Sequence, residues 1–170
     1  MPVLQIAIYG NSILTSKAEP VKNINEKIVE LAQNMVKTMH SAPGIGLSAP
    51  QVQTSKRLIT VDLSVGEKSE DLIILINPEL LSHEGEIISE EGCLSIPGIQ
   101  EKVARSAKIM VKGIDLQGKE RLIEAEGLLA RVLCHEIDHL NGKLFIDYLS
   151  PLKRSLIRKK LRKQLETKKS

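Results

Sequence analysis

The chain is almost without aromatic side chains. Tryptophan is absent, and Tyr9, Phe145 and Tyr148 make up the whole aromatic set, 2% of 170 residues. Proteins that grip single-stranded nucleic acid stack bases on aromatic platforms, so that class of function is disfavoured at the outset. No apolar run approaches the roughly 18 residues that a membrane-spanning helix needs. The segment Met1-Pro2-Val3-Leu4-Gln5 lacks the basic-then-apolar signature of a secretion signal. Two cysteines, Cys93 and Cys134, are too few for a disulfide framework and point to a reducing compartment, the cytoplasm. Internal repeats, low-complexity tracts and interdomain linkers are lacking too.

Charge is present but unevenly spread. The net charge is +3. Residues 151–170 hold nine Lys and Arg against one acid, Glu166, a balance of +8, which leaves −5 for the other 150 residues. In this tail Leu152, Leu156, Ile157, Leu161 and Leu165 recur at helical spacing after Ser150-Pro151, where Ser caps a helix and Pro suits its first turn. An amphipathic basic helix is expected there. At this length one domain with a real core is expected: residues 1–150 as the catalytic part and 151–170 as a basic helix of the same domain.

The most informative segment is His135-Glu136-Ile137-Asp138-His139, inside a stretch from Leu128 to Asn141 that reads as a helix. At 3.6 residues per turn the two histidines lie about 40° apart on one face. Two imidazoles so placed can share a metal ion, and Glu136 stands where a carboxylate can reach a water beside it. The plainer reading is a surface helix with charges at helical spacing. The third ligand separates the possible chemistries. Phe145 stands where one zinc-protease class has its third His, and the only later Glu, Glu166, lies in the basic tail. His40 and His83 are isolated, which leaves the cysteines. Cys93 sits in Glu90-Glu91-Gly92-Cys93-Leu94-Ser95-Ile96-Pro97-Gly98, glycine- and proline-punctuated backbone that suits close approach to another group. It could complete a Cys-His-His set with a fourth position open; alternatively it is a small buried hydrophobe. Cys134 is about 100° off the ligand face and reads as core or as a support behind the ligands. A third segment, Gly44-Ile45-Gly46-Leu47-Ser48-Ala49-Pro50-Gln51, is no phosphate loop, because it lacks the Gly-Lys-Ser/Thr ending. Its small residues suggest backbone packed tightly against something, with the Gln51 amide at the end.

Those three segments, in that order, resemble the three signature motifs of the peptide deformylases, and the likeness runs along most of the chain from about Val3. The resemblance implies removal of the formyl group from the N-terminal formyl-methionine of newly made bacterial or organellar proteins, with release of formate. It implies that Cys93, His135 and His139 bind the metal and that Glu136 is the general acid/base. Gln51 and the backbone N–H of Leu94 would stabilise the oxyanion, and Gly46 would lie beside the substrate. Ile45 and Leu128 would wall a pocket for the methionine side chain, with Arg131 at its rim and its charge in water. The ion favoured by the resemblance is Fe²⁺, with Zn²⁺, Co²⁺ or Ni²⁺ also accommodated by such a ligand set. The implied partners are formyl-methionyl nascent peptides and, through the basic C-terminal helix, the ribosome. Neither a membrane nor a specific nucleic-acid sequence is implied, and the compartment is the cytoplasm, bacterial type. Three positions depart from the usual pattern: Ser48 for Ala, Cys134 for Gln before the first metal His, and Gln100 for an Arg found in some relatives. A rival from another class is a metal-stapled ribosome- or RNA-binding protein without catalysis, motivated by the basic tail. Structural zinc sites, however, are usually closed by four protein ligands.

The remaining segments are expected as follows. Asn25 to His40 carries Ile28, Leu31, Ala32, Met35, Val36 and Met39 at helical spacing with an Asn cap. Residues 57–62 and 72–76, the latter extending to Leu81 with Pro78 on an edge, read as strands, as do 86–89, 103–114 and the beginning of 120–125. Asp115 to Gly118 is a turn. The pattern is α+β. The resemblance adds antiparallel sheets packed round a central metal-site helix, an N-terminal helix and a basic C-terminal helix.

Overall fold

The computed structural model describes residues 2–169. Three helices, α1 (Glu26–Ser41), α2 (Gly127–Leu140) and α3 (Pro151–Lys169), accompany seven strands. The strands are β1 (Gly46–Ser48), β2 (Leu58–Val61), β3 (Ile73–Glu84), β4 (Ile87–Cys93), β5 (Ile96–Arg105), β6 (Lys108–Ile114) and β7 (Glu120–Glu126). The seven strands pair antiparallel: a five-stranded sheet in the order β1-β2-β3-β6-β7, and a separate β4-β5 hairpin. The α+β architecture with a central motif helix is therefore as expected.

The two faces of the large sheet explain its sequence. Leu58-Ile59-Thr60-Val61 is wholly buried because helices cover both sides. Ile59 and Val61 face α2 with Leu75, Ile109, Val111 and the α2 residues Ala130, Leu133 and Ile137. Leu58 faces α1 with Ala32, Met35, Met39 and Leu47. Each fully buried Leu or Ile in these layers contributes roughly 1.5–3 kcal/mol relative to exposure. Asn25 caps α1 by accepting from the Ile28 N–H at 3.1 Å. In α2 the last turn closes on Asn141 and Gly142, the latter at φ 75°. A Cβ at 142 would stand 2.7 Å from the Thr15 carbonyl oxygen, so this glycine is required twice over.

Several strand boundaries differ from expectation: β3 runs on to Glu84 rather than Leu81, and β4 to Cys93 rather than Ser89. The single strand anticipated over 103–114 is two, β5 and β6, broken between Arg105 and Lys108. Strand β5 also begins at Ile96, because pairing of Cys93 with Ile96 and of Gly92 with Gln100 draws Pro97 to Ile99 into a bulge of the hairpin. Pro78 lies inside β3, but beyond Ile76 that strand is paired on one side only, to β6.

The basic tail is a helix, and it is part of the core. Ile157 and Leu161 are buried with Ala7, Leu14, Ile96 and Phe145, while Leu152 remains 71% exposed. The Ser150 hydroxyl accepts from the Lys153 N–H at 3.2 Å, starting the helix as its sequence suggests. No helix among the described residues is long and apolar enough to cross a membrane.

Candidate metal centre and active site

Helix α2 carries His135, Glu136 and His139 inward, and the β4-β5 hairpin brings Cys93 to meet them. The His139 Nε2 lies 3.4 Å from Cys93 Sγ and 3.1 Å from His135 Nε2. The three potential ligand atoms all fall within 4.8 Å of one another. Tetrahedral coordination with metal–S near 2.3 Å and metal–N near 2.05 Å requires S···N of about 3.6 Å and N···N of about 3.3 Å, close to the two distances that His139 makes. Orientation agrees. The Glu91 carboxylate lies 2.8 Å from His135 Nδ1; an N–H held there makes Nε2 the ligating atom. Burial pushes His139 well below the usual imidazole range, and the neighbouring His135 adds to this; the neutral ring is the ligating form.

Glu136 is 3% exposed. Its Oε1 and the His139 Nδ1 are buried without a hydrogen-bond partner among the described residues. Burial lifts the Glu136 carboxyl to about 7, partly opposed by His135. A carboxyl poised there can take up a proton and give it back near neutrality.

The glycine-rich segment packs against this carboxylate. Strand β1 passes so close to α2 that a Cβ on Gly46 would lie 2.5 Å from Glu136 Oε2 and 2.8 Å from a Val132 methyl. The tight backbone packing suggested by the sequence is thus against the motif helix. Just beyond it, Gln51 is buried and fixed at both ends of its amide. Its Oε1 accepts from the Ser48 N–H and the Ser48 hydroxyl, each at 3.0 Å, and its Nε2 donates to Ser95 Oγ at 3.3 Å and approaches Cys93 Sγ at 3.5 Å. Ser48, one of the three departures, gives Gln51 a hydrogen bond that Ala cannot.

These groups border a cleft of about 910 Å³, whose lining includes Ile45, Gly46, Gln51, Cys93, Leu94 and Leu128. Leu128 stands half-exposed at its mouth, and Val132 is buried in the core beneath. Gln100 also lines it. Cys134 packs instead with the core between α2 and the sheet.

A family model described as polypeptide deformylase matches residues 3–155. The chain belongs to the peptide deformylase family. It is 54% identical over 162 residues to a peptide deformylase of Thermodesulfovibrio yellowstonii, covering 95% of this chain and 98% of the relative. A peptide deformylase of Halothermothrix orenii is 56% identical over 147 residues, 86% of this chain and 94% of that one. The crystal structure of a peptide deformylase from Legionella pneumophila superposes with a TM-score of 0.91 at 44% identity, covering 98% of both chains. Peptide deformylases are enzymes that remove the N-formyl group from nascent peptides, so the non-catalytic RNA-binding alternative is set aside.

Within this peptide deformylase fold, sequence reading missed a buried ionic network. Arg105 grips Glu91 through Nε at 2.7 Å and Nη2 at 2.9 Å, and reaches Asp138 through Nη1 at 2.6 Å. Tyr148 donates to the same Asp138 oxygen at 2.7 Å. Arg131 is not at a solvent-exposed rim: it is 6% exposed and donates to Glu91 at 2.6 Å and to the Ile87 carbonyl at 2.6 Å. The reason is its place one turn before His135, on the same buried face, with the Glu91 carboxylate between them to receive it. Only a signal from long-range pairing could have joined Glu91, Arg105 and Asp138, which are far apart in sequence.

The network makes a pH prediction. Burial alone would raise the Glu91 carboxyl, but hydrogen bonds from Arg105 and His135 win and hold it down, from 4.5 to about 2. A carboxylate lowered on folding stabilises the fold fully above its unfolded value, and loses that contribution as pH falls toward the folded one. Metal-stripped protein is therefore expected to lose urea resistance between about pH 4.5 and about pH 2. Glu91→Gln, weaker at neutrality, should lack that part of the acid limb. Parallel urea-midpoint profiles for the two proteins would refute this assignment.

Proposed function

We propose that this peptide deformylase is a metal-dependent hydrolase of the formamide on the N-terminal formyl-methionine of newly made proteins, acting in a bacterial-type cytoplasm. The supporting observation is the convergence of Cys93, His135 and His139 beside the buried Glu136 carboxylate at the border of the main cleft. In this reading residues 1–150 carry the chemistry, and 151–170 complete the same domain. A divalent ion on those three residues, Fe²⁺ favoured and Zn²⁺, Co²⁺ or Ni²⁺ admissible, would supply Lewis acidity that brings a water within reach of deprotonation.

The chain's own residues do the rest. Glu136 takes the water proton as oxygen attacks the formyl carbon. Negative charge then grows on the formyl oxygen, and two donors serve it: the Gln51 amide, pre-aimed by Ser48, and the Leu94 backbone N–H. One such donor is typically worth about 2.7–4 kcal/mol of barrier. As the C–N bond breaks, Glu136 returns its proton to the leaving amine, so a free α-amino group and formate result. Gly46 allows the peptide backbone to approach, since any side chain there would strike Glu136. Ile45 and Leu128, with the Val132 methyls beneath, offer the apolar wall for methionine.

That wall predicts selectivity. A formyl-Met peptide is expected to exceed its formyl-Ala counterpart in kcat/KM by about ten-fold or more, following the apolar area removed from water. Equal values would remove the methionine pocket, and no formate from either would remove the activity itself.

Ribosome docking is the second part of the proposal. On α3 the residues Arg154, Arg158, Lys159 and Arg162 share one flank beside the core stripe of Ile157 and Leu161 and border a shallow groove. Phosphate contacts by such a flank weaken steeply with salt. Because α3 roofs the core around Phe145 and Ile96, removing the helix would disturb the fold, and charge reversal is the cleaner probe. R158E/R162E is expected to reduce ribosome co-sedimentation at low salt. Undiminished co-sedimentation would leave α3 as a core-covering helix only.

A further inference from the structure

The opposite flank of α3 borders a groove that adjoins the cleft. At 100° per residue, Lys160 and Lys163 fall on the other side of the Ile157–Leu161 stripe from Arg158 and Arg162. They border a second groove of about 570 Å³, whose remaining walls are Pro97, Gly98, Gln164 and Thr167. Pro97 and Gly98 also line the main cleft, so the two cavities share a single ridge, the bulge of the hairpin. Gly98 keeps this ridge low. It sits at φ +80°, and a Cβ there would come 3.7 Å from the Gln164 amide of α3. No acidic side chain lines the second groove, and among the described residues no ion pair engages Lys160 or Lys163.

We propose that this groove is an extended subsite for the substrate polypeptide, and that Lys160 and Lys163 favour acidic residues a few positions after the formyl-methionine. The inference rests on the deformylase reading above. That reading fixes one end of the peptide beside Glu136, so the rest of the chain must leave along the cleft. An extended peptide advances about 3.3–3.6 Å per residue, so a chain of several residues that follows the cleft over the Pro97–Gly98 ridge meets two ammonium groups. These contacts are exposed and act on encounter and residence, not on the chemical step, so they separate substrates by sequence without changing what is cleaved.

The test uses full-length, metal-loaded protein and three formyl-Met hexapeptides that differ only at positions 4–6, bearing acidic, neutral or basic residues, with a formyl-Met tripeptide as reference. Exposed ion pairs are weak, so the expected acidic-over-basic preference in kcat/KM is about three- to ten-fold at low ionic strength. It should fade as salt rises from about 0.05 M to about 0.5 M. In K160E/K163E the ratio should fall to unity or invert. The salt series on the unaltered protein carries the proposal if that variant folds poorly. Hydrolysis of the tripeptide with identical rates for the three hexapeptides overturns the subsite and leaves the deformylase reading standing. No hydrolysis of any peptide overturns both. A variant that loses ribosome co-sedimentation but keeps the wild-type peptide ratio assigns these lysines to RNA and also overturns the subsite.

Discussion

Cys93→Ala is expected to weaken metal binding at least about 100-fold and to remove turnover with it. A partner that only orients a ligand is already worth 10–100-fold in affinity, so deletion of a ligand costs more. The sulfur is placed for this role: Sγ is 3.4 Å from His139 Nε2 and accepts the Gln51 amide at 3.5 Å. The control is Cys134→Ala, which should retain one ion per chain, because Cys134 packs with the core on the sheet side of α2. Reactivity should separate the two thiols as well. Burial raises the Cys134 thiol above its ordinary value, so at neutral pH it is little ionised and slow to alkylate. Cys93 should alkylate readily in metal-stripped protein and be protected by added Zn²⁺. A Cys134→Ala protein that lost its metal while Cys93→Ala kept it would overturn the ligand assignment.

The motif helix and its cap were readable because their signals are local. The 3.6-residue period and the Asn141-Gly142 ending bound α2 within about one residue of the expected span, and Asn25 marks the start of α1. The strand break at Ser106-Ala107 was not readable: no Gly or Pro stands at the break to mark it. Composition also misplaced the start of β5, since Pro97 and Gly98 read as loop until the hairpin pairs across them. The largest gap is the Glu91-Arg105-Arg131-Asp138 network. In sequence each member is an ordinary charge at a strand or helix position, and only the meeting of the hairpin with α2 makes it a buried lattice. Breaking one partner of such a buried pair costs about 3–5 kcal/mol, because the other charge is left without compensation. The tail shows the same limit in reverse. Its charge pattern is visible in the sequence, but the burial of Ile157 and Leu161 depends on tertiary partners such as Ile96, more than fifty positions away.

Glu136→Gln is expected to keep the metal and the fold while lowering kcat by about 10² or more, the usual scale of general acid–base assistance. The substitution preserves shape, so the close packing of Gly46 on this side chain survives; 2.5 Å from Oε2 to a hypothetical Cβ leaves no room for anything larger. What it removes is a carboxylate that can hold a proton between attack and departure. The Glu136 carboxyl, lifted to about 7 chiefly by burial, is matched to both halves of that task, and an amide can do neither. The pH profile gives an independent readout. Any part of the kcat–pH dependence owed to Glu136 should vanish in the variant, whereas a residue that merely shaped the site would lower kcat at every pH and leave the profile unchanged. Metal content measured on the same samples separates the two ways of failing. Near-normal turnover with metal retained would refute the role of Glu136 as proton carrier, and the deformylase chemistry would then need another base in a cleft where no other buried carboxyl adjoins the Cys93, His135 and His139 donors except Glu91, already committed to Arg105, Arg131 and His135.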